Sequence, residues 1–245
     1  MLTPGNRKLG GSLIWGFGLP SGIAEVCVGM TTTCRTHCYA KRFESYRSSA
    51  AAKYQKNLEL TRLSDFAQRM RYFILNHEVQ VVRIHTGGEF YSARYIRQWQ
   101  RVIDWLPQVQ FFSYTRNWQI PALKLEIDHL AELPNARVWY SCDRETGVPA
   151  EVPAHVRLCW LMTHPDDVPP QPVDLVFRIR RLRQQPLDRL HGTRVCPDEN
   201  GKFYARPPHC ESCGQCWRPL SPEPSIRRIT LPLLHSNPRE VPCPT

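Results

Sequence analysis

Two groups of cysteines constrain this chain more than any other feature. The first is Cys27-x6-Cys34-x3-Cys38, followed at once by Tyr39; the second is Cys196 and then Cys210-x2-Cys213-x2-Cys216. Whatever folds between residues 38 and 196 has to hold both groups in place. Three thiolates can hold a four-iron cluster and leave one iron open, whereas four thiolates close a site. The start of the chain, MLTPGNRKLGGSLIWGF, lacks the layout of a secretion signal. The chain's 10 cysteines therefore point to ligands or free thiols in a reducing, cytoplasmic setting rather than to a disulfide framework.

The segment between the groups alternates strands and helices. SLIWGFG at 12–18 predicts a first strand, and residues 1–11 an exposed lead-in. A loop over 19–40 carries the first cysteines. Helices follow at 43–62 and 64–77, the second capped by Ser64-Asp65. VQVVRIH (79–85) reads as a strand. Residues 92–106 form a helix capped by Ser92, with Tyr95, Ile96, Trp99, Val102, Ile103 and Leu106 on one face. Further strands are expected at 109–114, 136–141, 155–162 and 173–179, with a helix at 120–132 opening on Pro121. Near-continuous apolar strands alternating with helices imply an α/β fold with a mostly parallel sheet. Six strands suit a partial (β/α)6 barrel. The expected organisation is a barrel over 1–190, then a cysteine-rich, cluster-binding segment and extended tail over 191–245.

The second cysteine group is the stronger ligand pattern. Cys-x2-Cys-x2-Cys lets successive thiolates converge, Gly214 relaxes the turn, and Cys196 can complete four ligands. Zinc is the alternative to iron at this site. The first group follows a strand, at the carboxyl edge where parallel α/β sheets build sites. Its fourth position is open, unless His37 closes a zinc site. His85-Thr86-Gly87-Gly88-Glu89 ends the next strand, where two glycines permit close backbone approach and Glu89 supplies a carboxylate. Tyr114, Thr115, Arg116 and Asn117 end the third strand, and Ser141, Cys142 and Asp143 the fourth. Thr163 and His164 follow the fifth; Arg178 and Arg180 end the sixth. Glu89, Tyr114 and Arg116 are the candidate catalytic residues, and Arg116 and Arg180 suit a carboxylate or phosphate. Cys142 and Cys159 read as buried thiols and Cys243 as a free thiol in the tail.

The loop of three cysteines with a Gly-Gly-Glu turn after the next strand resembles radical S-adenosylmethionine enzymes. That resemblance implies a 4Fe–4S cluster on Cys27, Cys34 and Cys38. S-adenosylmethionine would be chelated by the open iron and met by His85, Gly87, Gly88 and Glu89, with radical cleavage fed by an external reductant. Cys196, Cys210, Cys213 and Cys216 would hold an auxiliary cluster. Both gaps in the first group are longer than the usual Cys-x3-Cys-x2-Cys, and the aromatic follows the last cysteine instead of preceding it. GNRKLG, Cys38-Tyr39-Ala40, HTGGEFYSARYIRQW, FFSYTRNW and the terminal cysteine run are similar to the phage and mobile-element family called gene product 88. This likeness spans roughly residues 5–217 and points to iron–sulfur chemistry.

A net charge of +10 admits an anionic partner, either a small-molecule or nucleic-acid-derived substrate or nucleic acid itself. The densest basic run is Arg178-Ile-Arg180-Arg181-Leu-Arg183. No stretch reaches the roughly 20 apolar residues of a membrane span. Two other readings remain open. One is a non-radical cluster enzyme whose open iron acts as a Lewis acid. The other is a zinc-stabilised nucleic-acid-binding protein using Trp99, Trp105 and Trp118, although those tryptophans read more readily as core.

Overall fold

Hydrophobic strands in series build one open sheet. The computed structural model describes residues 1–200 and 208–219. Its strands and helices run in the order β1 (Thr3–Pro4), β2 (Ile14–Phe17), α1 (Thr32–His37), α2 (Tyr39–Tyr46), α3 (Ser48–Thr61), α4 (Phe66–Asn76), β3 (Val81–Ile84), α5 (Ala93–Asp104), β4 (Gln110–Thr115), α6 (Pro121–Ala131), β5 (Ala136–Cys142), β6 (Val156–Met162), β7 (Leu175–Arg178), β8 (Arg189–Leu190), β9 (Thr193–Arg194) and α7 (Cys210–Cys213). The seven-stranded sheet has the order β1-β2-β3-β4-β5-β6-β7. β1 pairs antiparallel with β2, and every later pair is parallel. The serial order and the βα units agree with the expected α/β class. β1 and β7 are the two ends of the order, and the sheet shows no closure among the described residues.

One face of the sheet carries the main core. Phe17, Val82, Ile84, Phe111, Val138 and Tyr140 pack there against Met70 and Ile74 of α4, Trp99 and Ile103 of α5, and Ile127 of α6. Phe17, Phe66 and Trp99 meet edge to face, with Trp99 5.4 Å from each partner. Such pairs add about 0.5–1.5 kcal/mol each beyond burial. All six residues expected on the apolar face of the 92–106 helix are buried. The Ser92 hydroxyl accepts from Tyr95 N at 3.3 Å, and Pro121 opens α6. Trp99 and Trp118 are buried; Trp105 is partly exposed, near Arg71.

Several expectations need correction. Residues 1–11 are no exposed lead-in: Leu2 and Leu9 are buried and β1 adds a seventh strand. The cysteine loop contains α1, and the helix expected over 43–62 begins earlier and breaks at Arg47. Arg47 leaves helical geometry at φ −127° and ψ 76°, and its carbonyl accepts from Ala50 and Ala51 to start α3. Asp65 makes no capping bond to α4; its carboxylate meets Arg69 at 2.8 Å instead. Leu190 and Val195 join the main core, so the segment after residue 190 packs on the same body. The extended tail and Cys243 lie outside the described residues. No described helix is long and apolar enough to cross a membrane.

Candidate metal centre

The sheet face opposite the helices and the carboxyl edge of the strands receive one cysteine group each. At the edge, the first group is moored by the chain around it. Gly29 N donates to Asn117 Oδ1 at 2.9 Å, and the Asn117 amide donates to Phe90 O at 2.7 Å. The first amides of α1, Thr32 N and Thr33 N, donate to the Glu145 carboxylate at 3.0 and 2.7 Å. Cys38 caps α2, its sulfur accepting from Lys41 N at 3.4 Å. Cys27 accepts from Gly22 N at 3.3 Å.

Cys27 is buried, and Cys34 and Cys38 are half-buried. Burial pushes the Cys27 thiol up to about 12 and Cys34 up to about 11, and the neighbouring cysteines and Glu89 add to both shifts. Cys27 and Cys34 therefore stand as thiols, and a bound cation would have to displace their protons.

Glu89 lies beside this group. It accepts from Thr115 Oγ1 at 2.8 Å and Arg116 N at 2.9 Å, while burial raises its pKa to about 7. The Arg116 side chain pairs with buried Asp143, whose other oxygen accepts from Glu145 N and Thr146 N at 2.9 Å. The two glycines before Glu89 are closed over by the chain itself. A Cβ on Gly87 would stand 2.5 Å from Ser21 Oγ, and one on Gly88, at φ +76°, 2.6 Å from Leu19 Cβ. They make room for the stem of the cysteine loop. His85 turns into the core, with Nε2 3.0 Å from Tyr95 Oη and its ring against Phe90. Burial pulls its pKa down to about 3.

The second group is more enclosed. Cys196, Cys210, Cys213 and Cys216 line one small pocket with Pro197 and Asp198. The chain braces them through its backbone. Cys196 N donates to Val176 O at 2.8 Å, and Cys210 N to Lys8 O at 2.9 Å. Trp139 Nε1 donates to Cys216 O at 2.9 Å, Trp217 Nε1 to Cys210 O at 3.0 Å, and Arg157 to Gln215 O at 2.6 Å. Gly214, at φ +69°, ends α7 as its left-handed cap. Burial pushes Cys216 up to about 11 and raises Cys196 and Cys210 as well.

Tyr114 lies by this second group, apart from Glu89 and Arg116. Its ring packs against Trp139 and Phe177, and it hydrogen-bonds Cys216. Arg83 lies between the two groups. It donates to Tyr39 Oη at 2.9 Å, and its guanidinium is 5.6 Å from the Tyr114 ring centroid. Tyr39 in turn donates to Thr86 O at 2.9 Å. No carboxylate pairs with Arg83 among the described residues. Burial pulls the Arg83 pKa down, but Tyr39, Tyr114, Cys210 and Cys216 outweigh it and hold the cation. The column Cys38–Tyr39–Arg83–Tyr114–Cys216 therefore spans from one group to the other.

Sequence reasoning missed Lys8, Tyr39 and Arg83, although Cys38-Tyr39 and GNRKLG were visible as motifs. The remaining strand-end residues divide. Asp143 and Thr163 stand at the edge, Thr163 donating to buried Asp167 at 2.7 Å. Arg178 is buried and its backbone N donates to Glu199 at 2.7 Å. Cys142 and Cys159 are buried in the sheet. His37 is exposed on a neighbouring cleft. Among the described residues, no three His, Cys, Asp or Glu side chains stand in the geometry of a single metal ion. Tetrahedral zinc would need sulfurs roughly 3.8 Å apart, given Zn–S bonds of about 2.3 Å.

A family profile described as gene product 88 matches residues 1–219, a span that holds both cysteine groups. The gene 88 proteins of Mycobacterium phages D29 and L5 are each 33% identical to the chain over 137 residues. Those alignments cover 51% of this chain and 55% and 56% of the two phage proteins, so the match spans about half the length of these curated relatives. No solved structure matches.

Proposed function

The chain belongs to the gene product 88 family, and from that premise we propose that it is an iron–sulfur enzyme with two unlike cluster sites. Cys27, Cys34 and Cys38 hold an open 4Fe–4S cluster, and Cys196, Cys210, Cys213 and Cys216 hold a closed auxiliary one. One observation carries the reading: three neighbouring cysteines, Cys27 and Cys34 raised by burial, gather at the carboxyl edge of a serial parallel sheet, beside Glu89 and Arg116. That donor set fits a cationic cluster, because bound metal stabilises the thiolates that burial and neighbouring negative charge disfavour. His37 faces the adjacent cleft, which leaves the fourth position to a ligand from outside the chain.

A cluster on three thiolates supplies an open iron for a substrate heteroatom. The chain's own part is positional. Asn117 and Glu145 fix the loop, and Glu89 can hold or release a proton beside it, given a pKa near 7. The Arg116–Asp143 pair keeps the edge rigid. The four cysteines of the second group line one small pocket, and that shared lining supports their holding a single closed unit. The serial sheet order suits a partial barrel, and Cys210 and Cys216 pack against buried side chains of the sheet.

Reductive cleavage of S-adenosylmethionine is the second reading, and Glu89 favours it. Each of its oxygens has one donor and keeps acceptor capacity for an amino group. Gly87 and Gly88 fit that role poorly, because Gly87 O already accepts from Leu19 N at 2.9 Å and Gly88 N already donates to Ser21 Oγ at 3.1 Å. No step is therefore drawn through that cofactor. The zinc-stabilised nucleic-acid-binding reading has the net charge of +10 in its favour.

Metal analysis of anaerobically purified variants tests the assignment. Cys34→Ala should lose about four of about eight irons and keep the rest. A Cys34→Ala protein with all its iron overturns the first-loop assignment. Formation of 5′-deoxyadenosine by the reduced protein decides for the second reading.

A further inference from the structure

The basic run after β7 divides in two directions. Arg178 and Arg183 turn inward, the Arg178 side chain donating to Gln185 O at 2.8 Å and Arg183 pairing with Glu199 at 2.6 Å. Arg180 and Arg181 turn outward and line a cleft of about 480 Å³ with His37, Arg144, Thr163 and His164. That volume lies in the range of small-molecule sites, roughly 300–1,000 Å³. The lining converges from four separate segments, namely α1 and the loops after β5, β6 and β7.

Charge in the cleft is unbalanced. Arg144 pairs with one oxygen of Asp167 at 2.6 Å, while the other oxygen accepts from Thr163 N, Thr163 Oγ1 and His164 N at 2.7–2.8 Å. His164 lies 3.2 Å from exposed Asp166. Arg180 and Arg181 are exposed and have no ion pair or side-chain hydrogen bond among the described residues. Three guanidiniums thus share one concavity, and two of them have no ion pair among the described residues. Guanidinium forks match phosphate oxygens two at a time, so the unpaired guanidiniums suit an anion with several oxygens. Ile179 is the sole apolar residue on the wall, so the lining recognises charge.

Position links the cleft to the first cysteine group. His37 lies between Cys34 and Cys38 in the sequence, at the end of α1. We propose that this cleft binds the phosphate of a nucleotide-type substrate, with Arg144, Arg180 and Arg181 on the phosphate and the remainder of the molecule reaching past His37 toward the cysteine loop. The proposal rests on the iron–sulfur reading for the use made of that ligand, but phosphate binding itself needs no metal. The shared chemistry is a phosphate ester, carried by a free nucleotide or by a nucleic-acid end.

Calorimetric titration of the full chain with ATP, with pyrophosphate and with a short 5′-phosphorylated single-stranded oligonucleotide tests it. Arg180→Ala/Arg181→Ala should weaken binding at least about tenfold, as should Arg144→Ala tested separately. Arg94→Ala/Arg101→Ala removes the same charge from exposed positions on α5 and should bind like the parent. Tight binding of ATP and pyrophosphate marks a free nucleotide as the source. Binding of the oligonucleotide that vanishes without its 5′-phosphate marks a nucleic-acid end. Equal losses in the cleft and control variants, unchanged affinity in the cleft variants, or no probe bound below millimolar concentration would overturn the proposal. Cys34→Ala separates the two readings. Lost iron with intact phosphate binding supports both, and intact iron with intact phosphate binding removes only the iron–sulfur reading.

Discussion

The two cysteine groups differ in what surrounds them more than in how many thiols they have. The first hangs in a loop tied down by side chains: Asn117 to Gly29 and Glu145 to α1. Charged neighbours, Glu89, Arg116 and Asp143, share its edge. The second is gripped by backbone bonds from distant parts of the chain and walled by Trp139, Trp217 and Tyr114. An edge loop with polar company suits exchange with a ligand. A closed turn buried against aromatics suits structure and electron transfer. The contrast teaches that the two groups differ in enclosure as well as in ligand count, and the proposed division into a reactive and a structural site rests on both.

The largest expected effect breaks the comparison if it fails. Cys216→Ala should destabilise the holoprotein by several kcal/mol, lowering the melting temperature by on the order of 10–20 °C. Cys34→Ala should lower it by only a few degrees. Equal losses in differential scanning calorimetry would erase the structural distinction. Next in size is Trp139→Ala, which removes a fully buried ring and the donor to Cys216 O. It should cost about 3–5 kcal/mol in denaturant titration and should release second-group iron before first-group iron.

Acid acts through the ground beneath the first group. His85 is neutral in the folded chain, with its pKa lowered from 6.5 to about 3. The unfolded chain therefore binds the extra proton, and stability falls as pH drops below 6.5. The slope should be about 1.4 kcal/mol per pH unit from this residue, levelling near pH 3. His85→Asn, which tolerates the φ of +65° there, should flatten that slope between pH 5.5 and 4.5. An unchanged slope in denaturant titrations would show that His85 is not held neutral. The smallest effect sharpens the picture of the loop. Glu145→Gln should leave the melting temperature unaltered and speed hydrogen exchange at Thr32 and Thr33. Unaltered exchange would mean that the carboxylate does not moor α1.

Much of this architecture was legible in the sequence because its signals are local. VQVVRIH and HVRLCWLM are apolar on both sides, as strands covered on both faces must be. The helix over 93–104 carries its core on one face. What stayed hidden depends on contacts far apart in the chain. No pattern in GNRKLG announces that Lys8 O receives Cys210 N. Short α1 has little helical stability of its own and relies on Glu145, which lies far along the sequence. Gly-Gly-Glu reads as a ligand cradle until Leu19 and Ser21 are seen against the glycines. The run Arg178–Arg183 looks uniform, yet its two end arginines turn inward, Arg183 to Glu199, while Arg180 and Arg181 line the cleft. Tyr114 belongs to β4, but Arg116 lies just past its end with helical dihedrals (φ −98°, ψ −10°), so strand alternation no longer sets its direction and the two reach different groups.

Metal content of the unaltered, anaerobically isolated chain tests the central claim most directly. The account predicts about eight irons per chain, with less than about one zinc. A colourless protein with stoichiometric zinc and no iron would contradict it.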